Sequence, residues 1–304
     1  MTLQRWARAL GQLLLGLALA WTGVCAAPAG AADLQVRDDT GQIVALAAPA
    51  RRIVALSPQL LELSAAAGAS QRVVATIRGA DNVRWARKLP LVGDAFALNL
   101  EAIVRLKPDM ILAWESGTPP RDAARLKALG MPIYWSQADT FASLASTVQR
   151  IGVLAGTAPS ADRWVRAFDA RLQALRQRYS AQQPAVRVFY LVWNQPLITV
   201  GGRQLINQAI TLCGGRNVFG DLPVLSPTVS VEAVLRADPQ LIVASSPGSQ
   251  AWLRAWTRFD QLSAVRHAQL VALSPDLLPR MGANVLDGVQ QLCGAIATAR
   301  RAQR

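Results

Sequence analysis

The chain has 304 residues, 52% of them apolar, enough for about two domains with substantial cores. The formal net charge of +13 comes from 32 Lys and Arg against 19 Asp and Glu, with the arginines scattered rather than clustered. No basic run with interleaved aromatics occurs, which argues against nucleic acid as a partner and leaves an anionic ligand or an anionic membrane face as what such a surface suits.

Residues 1–32 read as a signal peptide. Arg5 and Arg8 make a positive start, Ala9 to Ala20 is an apolar run too short to span a bilayer, and Ala29-Gly30-Ala31 fits a small-residue cleavage pattern. Maturation is expected near Ala32 or Asp33, giving an exported, soluble chain, since no later stretch is apolar enough for a membrane span. Cys25 lies in this region. Thr22-Gly23-Val24 departs from the residues that usually precede a lipidated cysteine, so no lipid anchor is expected there.

The first buried strand is Arg52-Ile53-Val54-Ala55-Leu56, by its unbroken apolar run. Ser57-Pro58 then opens a helix, with Ser as cap and Pro in the first turn. Gly68 closes it, and Val73–Thr76 is the next strand. Residues 77–97 are mixed in character, with Arg78, Asp81, Trp85, Arg87 and Phe96, and read as a long loop. Asn99 caps a short helix that Pro108 stops before the strand Met110–Ala113. A helix starting at Gly117-Thr118-Pro119-Pro120 and running through Ala128 leads to the strand Pro132–Trp135. This alternation predicts an α/β fold with a mostly parallel sheet covered on both sides.

The pattern changes after Thr140. Phe141 to Ala155 is helical, and Ala161 to Ser180 is one amphipathic run in which Trp164, Phe168, Leu172, Leu175 and Tyr179 recur at three- and four-residue steps. Such a helix, about 30 Å long at 1.5 Å per residue, is either a rigid connector between two α/β regions or a packing helix of the first. Alternation resumes with the strand Val186–Val192, the short run Ile198–Val200 and a helix from about Gln204 to Leu212 that Cys213-Gly214-Gly215 terminates. A helix around Trp252–Leu262, the strand Leu270–Leu273 and a last helix from about Ala283 complete the chain. The expected organisation is a first lobe over 50–155, a linker helix over 156–184 and a second lobe over 185–304.

One stretch occurs twice. Leu100-Glu101-Ala102-Ile103-Val104-Arg105-Leu106-Lys107-Pro108-Asp109-Met110-Ile111-Leu112-Ala113 returns roughly 130 residues later as Val231-Glu232-Ala233-Val234-Leu235-Arg236-Ala237-Asp238-Pro239-Gln240-Leu241-Ile242-Val243-Ala244. Without a gap the copies share the Glu, the first Ala, the Arg, the Pro, the Ile and the last Ala. The spacing is too long for a solenoid and implies two lobes of one architecture, each with a glutamate opening an equivalent helix. Leu56-Ser57-Pro58 and Leu273-Ser274-Pro275 end two of the strands alike, on the side where open parallel sheets place ligands.

Chemistry-bearing motifs are few. The one histidine, His267, stands apart from cysteines and acidic clusters, so no metal site is expected. Walker, G-x-S-x-G and H-E-x-x-H motifs are absent, which disfavours an enzyme. Cys213 and Cys293 suit a disulfide in an oxidising compartment, closing about 80 residues and worth roughly 4–5 kcal/mol at most; two buried thiols are the alternative. Trp114 and Trp193 each follow a strand end, where they either face a ligand or pack in the core, and Phe96 in the long loop has the same two readings.

Together these residues resemble the periplasmic cobalamin-binding proteins of ABC importers, within a wider family that also takes up iron siderophores and haem. In the first half the resemblance rests on Arg52–Pro58, Glu62, Asn99-Leu100-Glu101, Lys107-Pro108-Asp109 and Ala113-Trp114. In the second half it rests on Pro196, Gly201, Asn207-Gln208, Leu212–Gly215, Asn217-Val218-Phe219, Val229–Glu232 and Gln290–Cys293. It implies two Rossmann-like lobes joined by one long helix, with the ligand in the cleft between them. It implies that Glu101 and Glu232 dock on a permease-ATPase complex at the inner membrane, that Cys213 and Cys293 are bonded, and that the chain works in the periplasm as a monomer. No resident cofactor is implied, cobalamin being the transported ligand.

For the pocket the resemblance points to Asp276, with Arg280 behind it, and to Trp193. Ser57, Pro58, Phe96 and Trp114 complete the expected ligand-binding set. The chain departs from the family at Ser226, at Ile77 or Arg78, and at Ala95 or Phe96, where pocket aromatics would fall. Those departures make a ferric siderophore or haem the alternative ligand.

Overall fold

The computed structural model describes residues 34–80 and 83–303, so the leader with Cys25, and Asp81 in the long loop, lie outside the described residues. Leu34–Arg304 cluster as one compact unit. In chain order, a hairpin of β1 (Leu34–Arg37) and β2 (Ile43–Leu46) precedes the first α/β half. That half runs β3 (Ile53–Ala55), α1 (Pro58–Ala66), β4 (Val73–Thr76), α2 (Leu100–Arg105), β5 (Met110–Trp114), α3 (Pro120–Ala128) and β6 (Ile133–Ser136). Then come α4 (Phe141–Leu154) and α5 (Ala158–Tyr179). The second half is β7 (Val186–Leu191), α6 (Leu205–Leu212), β8 (Gly215–Asn217), α7 (Val231–Ala237), β9 (Leu241–Ala244), α8 (Ser249–Trp256), α9 (Ser263–Arg266), β10 (Leu270–Ala272) and α10 (Val285–Ala302).

The two four-stranded sheets have one topology. The first is ordered β4-β3-β5-β6 and the second β10-β9-β7-β8, all pairs parallel. Read from the other edge, the second sheet also runs second strand, first, third, fourth. Each therefore reverses direction between its first and third strands, β3 and β5 in one, β7 and β9 in the other. The crevice beyond the carboxyl ends of such a strand pair is where open parallel sheets take ligands. The fold is the two-lobed, Rossmann-like arrangement with one long connecting helix.

Central strands buried on both faces need continuous apolar sequence. Ile53, Val54, Ala55, Ile111, Leu112, Ile242 and Val243 are all fully buried. The outer face of the first sheet packs Val54, Ile111 and Trp135 against Ile103 and Leu126, of α2 and α3. The outer face of the second packs Phe189 and Ile242 against Val234, Leu253 and Trp256, of α7 and α8. The inner faces share one core, in which Leu60, Val148, Phe168, Leu172, Ile206, Val289 and Ile296 meet. Helix α5 contributes Ala161, Val165, Phe168, Leu172, Leu175 and Tyr179 to it, a stripe at helical spacing. Both readings of that helix hold together: it connects the halves and packs against both.

Several elements differ from the sequence expectation. The β1–β2 hairpin was not expected. It is fastened to the edge strand β6 through Asp38, whose Oδ2 accepts from Trp135 N at 3.3 Å, and Asp39, which accepts from Gln137 N and pairs with Arg150 at 2.7 Å. Gly215, read as the last residue of the helix stop Cys213-Gly214-Gly215, opens the edge strand β8, because only a tertiary neighbour makes so short a segment extended. The short apolar run Ile198–Val200 contributes only isolated bridges, from Ile198 to Trp193 and Thr228. The helix placed around Trp252–Leu262 is α8, which starts at Ser249 and ends at Trp256; residues 257–262 are turns, and the separate short helix α9 follows them. The long loop holds a 3-10 turn at Arg84–Ala86 and runs back beside β4, where Val92 N donates to Thr76 O at 2.8 Å.

The disulfide between Cys213 and Cys293 is present, joining the end of α6 to α10 across 80 residues. Beside it Arg300 is 5% exposed, its guanidinium donating to Pro184 O at 3.0 Å and Gly214 O at 2.8 Å. Among the described residues no helix is long and apolar enough to cross a membrane.

Candidate functional site

At the carboxyl edge of the first sheet, Ser57 and Pro58 follow β3 and Trp114 ends β5, the two strands that flank the reversal. With Ile77 and Asp94 they line a pocket of about 70 Å³. Ser57 is buried, and its Oγ accepts from Leu60 N at 3.3 Å as the cap of α1, so it shapes the wall while Pro58 and Trp114 supply surface. Trp114 lies flat over Gly117: a Cβ there would stand 1.8 Å from its ring, so only glycine permits this placement. Phe96 projects beside the pocket and is 89% exposed. The turn that carries it is held by Asp94, whose Oδ1 accepts from Phe96 N at 2.9 Å and Ala97 N at 3.1 Å. Those bonds hold the Asp94 carboxyl below its usual range.

At the carboxyl edge of the second sheet, Trp193 follows β7 and is 49% exposed. It meets Trp252 edge-on at 5.3 Å and donates from Nε1 to Gln195 O at 2.8 Å. Trp252, on α8, has no site role in the sequence reading, where it only opens a helix. Asp276 and Arg280 follow β10, and Arg280 Nη2 pairs with Asp276 Oδ1 at 2.6 Å.

The ion pair extends into the first half. Arg280 Nε stands 3.7 Å from Glu62 Oε1 of α1, and both side chains are 14% exposed. Burial pushes the Glu62 carboxyl above its usual range; the Arg280 charge and a hydrogen bond from Ala283 N–H oppose this without cancelling it, and Asp276 adds to it. Sequence reading gave Glu62 no role. The signal was there: a single charge between Leu61 and Leu63, both fully buried.

The two glutamates of the repeated stretch occupy matching positions. Glu101 is exposed in the first turn of α2, whose cap Asn99 Oδ1 accepts from Ala102 N at 3.0 Å. Glu232 is exposed in the first turn of α7, whose cap Ser230 Oγ accepts from Ala233 N at 3.2 Å. A bond from its own backbone N–H and one from Ser230 keep the Glu232 carboxyl below its usual range, as a helix N-terminus favours. The two side chains therefore stand exposed in the first turns of equivalent helices of the two halves. Among the described residues no group of three or more His, Cys, Asp and Glu could hold a metal ion.

Comparison with known proteins adds to this geometry. The profile of the family described as periplasmic binding protein matches residues 53–277. The vitamin B12-binding protein of Vibrio cholerae serotype O1 is 36% identical over 265 residues, covering 86% of this chain and 95% of that one. The vitamin B12-binding protein of Yersinia pestis is 36% identical over 253 residues, covering 82% and 87%. The crystal structure of the periplasmic vitamin B12 binding protein BtuF of Vibrio cholerae superposes with a TM-score of 0.76, over 83% of this chain and 98% of that one, at 36% identity. The periplasmic haem-binding protein RhuT from Roseiflexus superposes at 0.72 over 82% and 98%, at 21% identity, a likeness of fold alone.

Proposed function

This chain belongs to the periplasmic binding protein family, and on that footing we propose that it captures cobalamin or a related corrinoid in the periplasm and delivers it to an ABC importer. The lobes are residues 50–155 and 185–304, joined through 156–184. The ligand enters the cleft at the carboxyl edges of both sheets. Phe96 and Trp114 of the first lobe and Trp193 of the second offer rigid apolar surface to a large planar ring system. The Asp276–Arg280 pair meets polar groups at its edge, and Pro58 bounds the floor.

Glu101 and Glu232 meet cations on the two halves of a permease, where complementary charge sets register and encounter rate more than affinity. The role is binding and release, with no bond made or broken.

The observation that carries this reading is the likeness to proteins named for vitamin B12, at 36% identity over most of both chains. Tyrosine and histidine geometry favours it over haem. Tyr134, Tyr179 and Tyr190 are buried in the core. His267 closes α9, ahead of the amino end of β10 and so away from the ligand edge. None offers an axial ligand to a haem iron in the cleft.

Isothermal calorimetry with cyanocobalamin, haem and a ferric siderophore tests the proposal. Saturable heat with cyanocobalamin alone is the expected result; heat only with haem or the siderophore would replace the corrinoid reading.

A further inference from the structure

Glu62, Arg280 and Gly282 make a contact whose parts come from both lobes. Glu62 is on α1, after the first strand of the first sheet; Arg280 and Gly282 lie between β10 and α10 of the second half. Arg280 spans two carboxylates, Asp276 at 2.6 Å and Glu62 at 3.7 Å. Asp276 is the open end of this chain, with its side chain 53% exposed, while Glu62 and Arg280 are each 14% exposed. The carboxylate of Glu62 sits where Gly282 has no side chain: a Cβ at Gly282 would stand 2.2 Å from Glu62 Oε2 and 2.8 Å from its Cδ. Gly282 is thus the socket that lets a carboxylate of one lobe reach the arginine of the other.

We propose that Glu62 is a positioning residue: seated against Gly282, it orients Arg280, and through it Asp276, for the polar edge of the ligand without touching the ligand itself. This rests on the reading of the cleft as a corrinoid site. A single guanidinium shared by two carboxylates has fewer orientations than one paired with Asp276 alone, and a side chain held in its bound geometry binds more tightly because less freedom is lost on binding. Burial raising the Glu62 carboxyl marks this as a position where charge is kept at a cost in stability, as positions serving function are.

The test is a cycle of Glu62→Ala, Gly282→Ala and the double variant. Cyanocobalamin affinity and thermal midpoint are measured on the purified protein, and the Arg280 Nε–Hε resonance is recorded without ligand. Each single variant is expected to weaken binding about tenfold, a loss between that of an exposed and of a buried ion pair, with the midpoint of Glu62→Ala unchanged or raised. The double variant should match Glu62→Ala, because the alanine at position 282 has nothing left to displace. Full affinity in Glu62→Ala, additive losses, or affinity falling in step with the midpoint in Glu62→Ala would overturn the proposal. If the unaltered protein binds no cyanocobalamin, the corrinoid reading fails and the resonance decides separately: a shifted, broadened Arg280 signal in both single variants supports positioning by Glu62, and an unshifted one refutes it.

Discussion

Lys107 and Asp238 occupy the same place in the two copies of the repeat, and both have left-handed backbone, with φ of 46° and 41°. Each precedes a proline that stops a short helix and feeds a third strand. The likeness continues around them. Asp109 Oδ2 accepts from Arg52 N at 2.9 Å, and Gln240 Oε1 accepts from Arg187 N at 2.9 Å. Arg52 and Arg187 each return a side-chain bond, to Leu106 O and Asp238 O, also at 2.9 Å. The repeated stretch is therefore a device for turning helix into strand.

Left-handed backbone is costly for a side chain with a Cβ, more so for a branched one. Lys107→Val should lose about 1–2 kcal/mol in urea unfolding, whereas Lys107→Gly should be neutral or gain up to about 1 kcal/mol. Asp238 repays its strain by accepting from Ser263 N and Oγ at 2.7 and 2.6 Å, so Asp238→Gly should destabilise where Lys107→Gly does not. Equal behaviour of the two glycine variants would mean these bonds contribute nothing.

Charge reversal of both Glu101 and Glu232 to Lys is expected to abolish association with the permease while leaving ligand affinity within about twofold. Both side chains are exposed, in the first turns of α2 and α7. Pull-down on the importer in detergent, alongside calorimetry, checks this; parallel loss of ligand binding would place them in the pocket instead.

Phe96 projects into solvent, so Phe96→Ala should cost affinity for cyanocobalamin, about tenfold, with a thermal midpoint within about 2 °C of the parent. Trp193→Ala should cost at least as much affinity and also about 1 kcal/mol of stability, through its edge-on contact with Trp252. Tryptophan fluorescence on ligand addition should lose part of its change in Trp193→Ala, the remainder coming from Trp114.

The pH dependence of stability follows from Glu62. Its carboxyl is raised in the folded state, first by burial, so between the ordinary glutamate range and that raised value the folded chain holds more proton than the unfolded one. Stability from this group therefore falls as pH rises through that window. Asp238 acts oppositely. Burial opposes its ionisation, but the bonds from Ser263 and the charge of Arg187 bring it below the usual range, and its contribution is lost as pH falls. Subtracting the Glu62→Gln profile from the parent profile isolates the first effect; a flat difference curve would contradict the burial of Glu62.

Arg300 ties α10 to Pro184 and Gly214, beside the disulfide. Arg300→Ala removes a buried guanidinium and its bonds to Pro184 O and Gly214 O, leaving Gly214 O only the bond from Val186 N at 3.3 Å, and should cost about 1–3 kcal/mol. Reduction of Cys213–Cys293 should cost about 2–4 kcal/mol as well. Both report in chemical unfolding without changing the exposed aromatics.

The sequence alone determined the alternation of elements, the doubling of the α/β half, the helix caps and the carboxyl-edge placement of Trp114, Trp193 and Asp276. Each of these is written in local order, as apolar runs, N-cap residues, prolines and a repeat in register. Only the tertiary structure decided that the sheets share one strand order, that Gly215–Asn217 is a strand, and that the β1–β2 hairpin closes on β6. The same holds for the contact of Glu62 with Arg280 across the lobes. Those facts depend on which distant surfaces meet, and a carboxylate among leucines becomes informative only when the arginine and the glycine that receive it, more than two hundred residues away, are seen beside it.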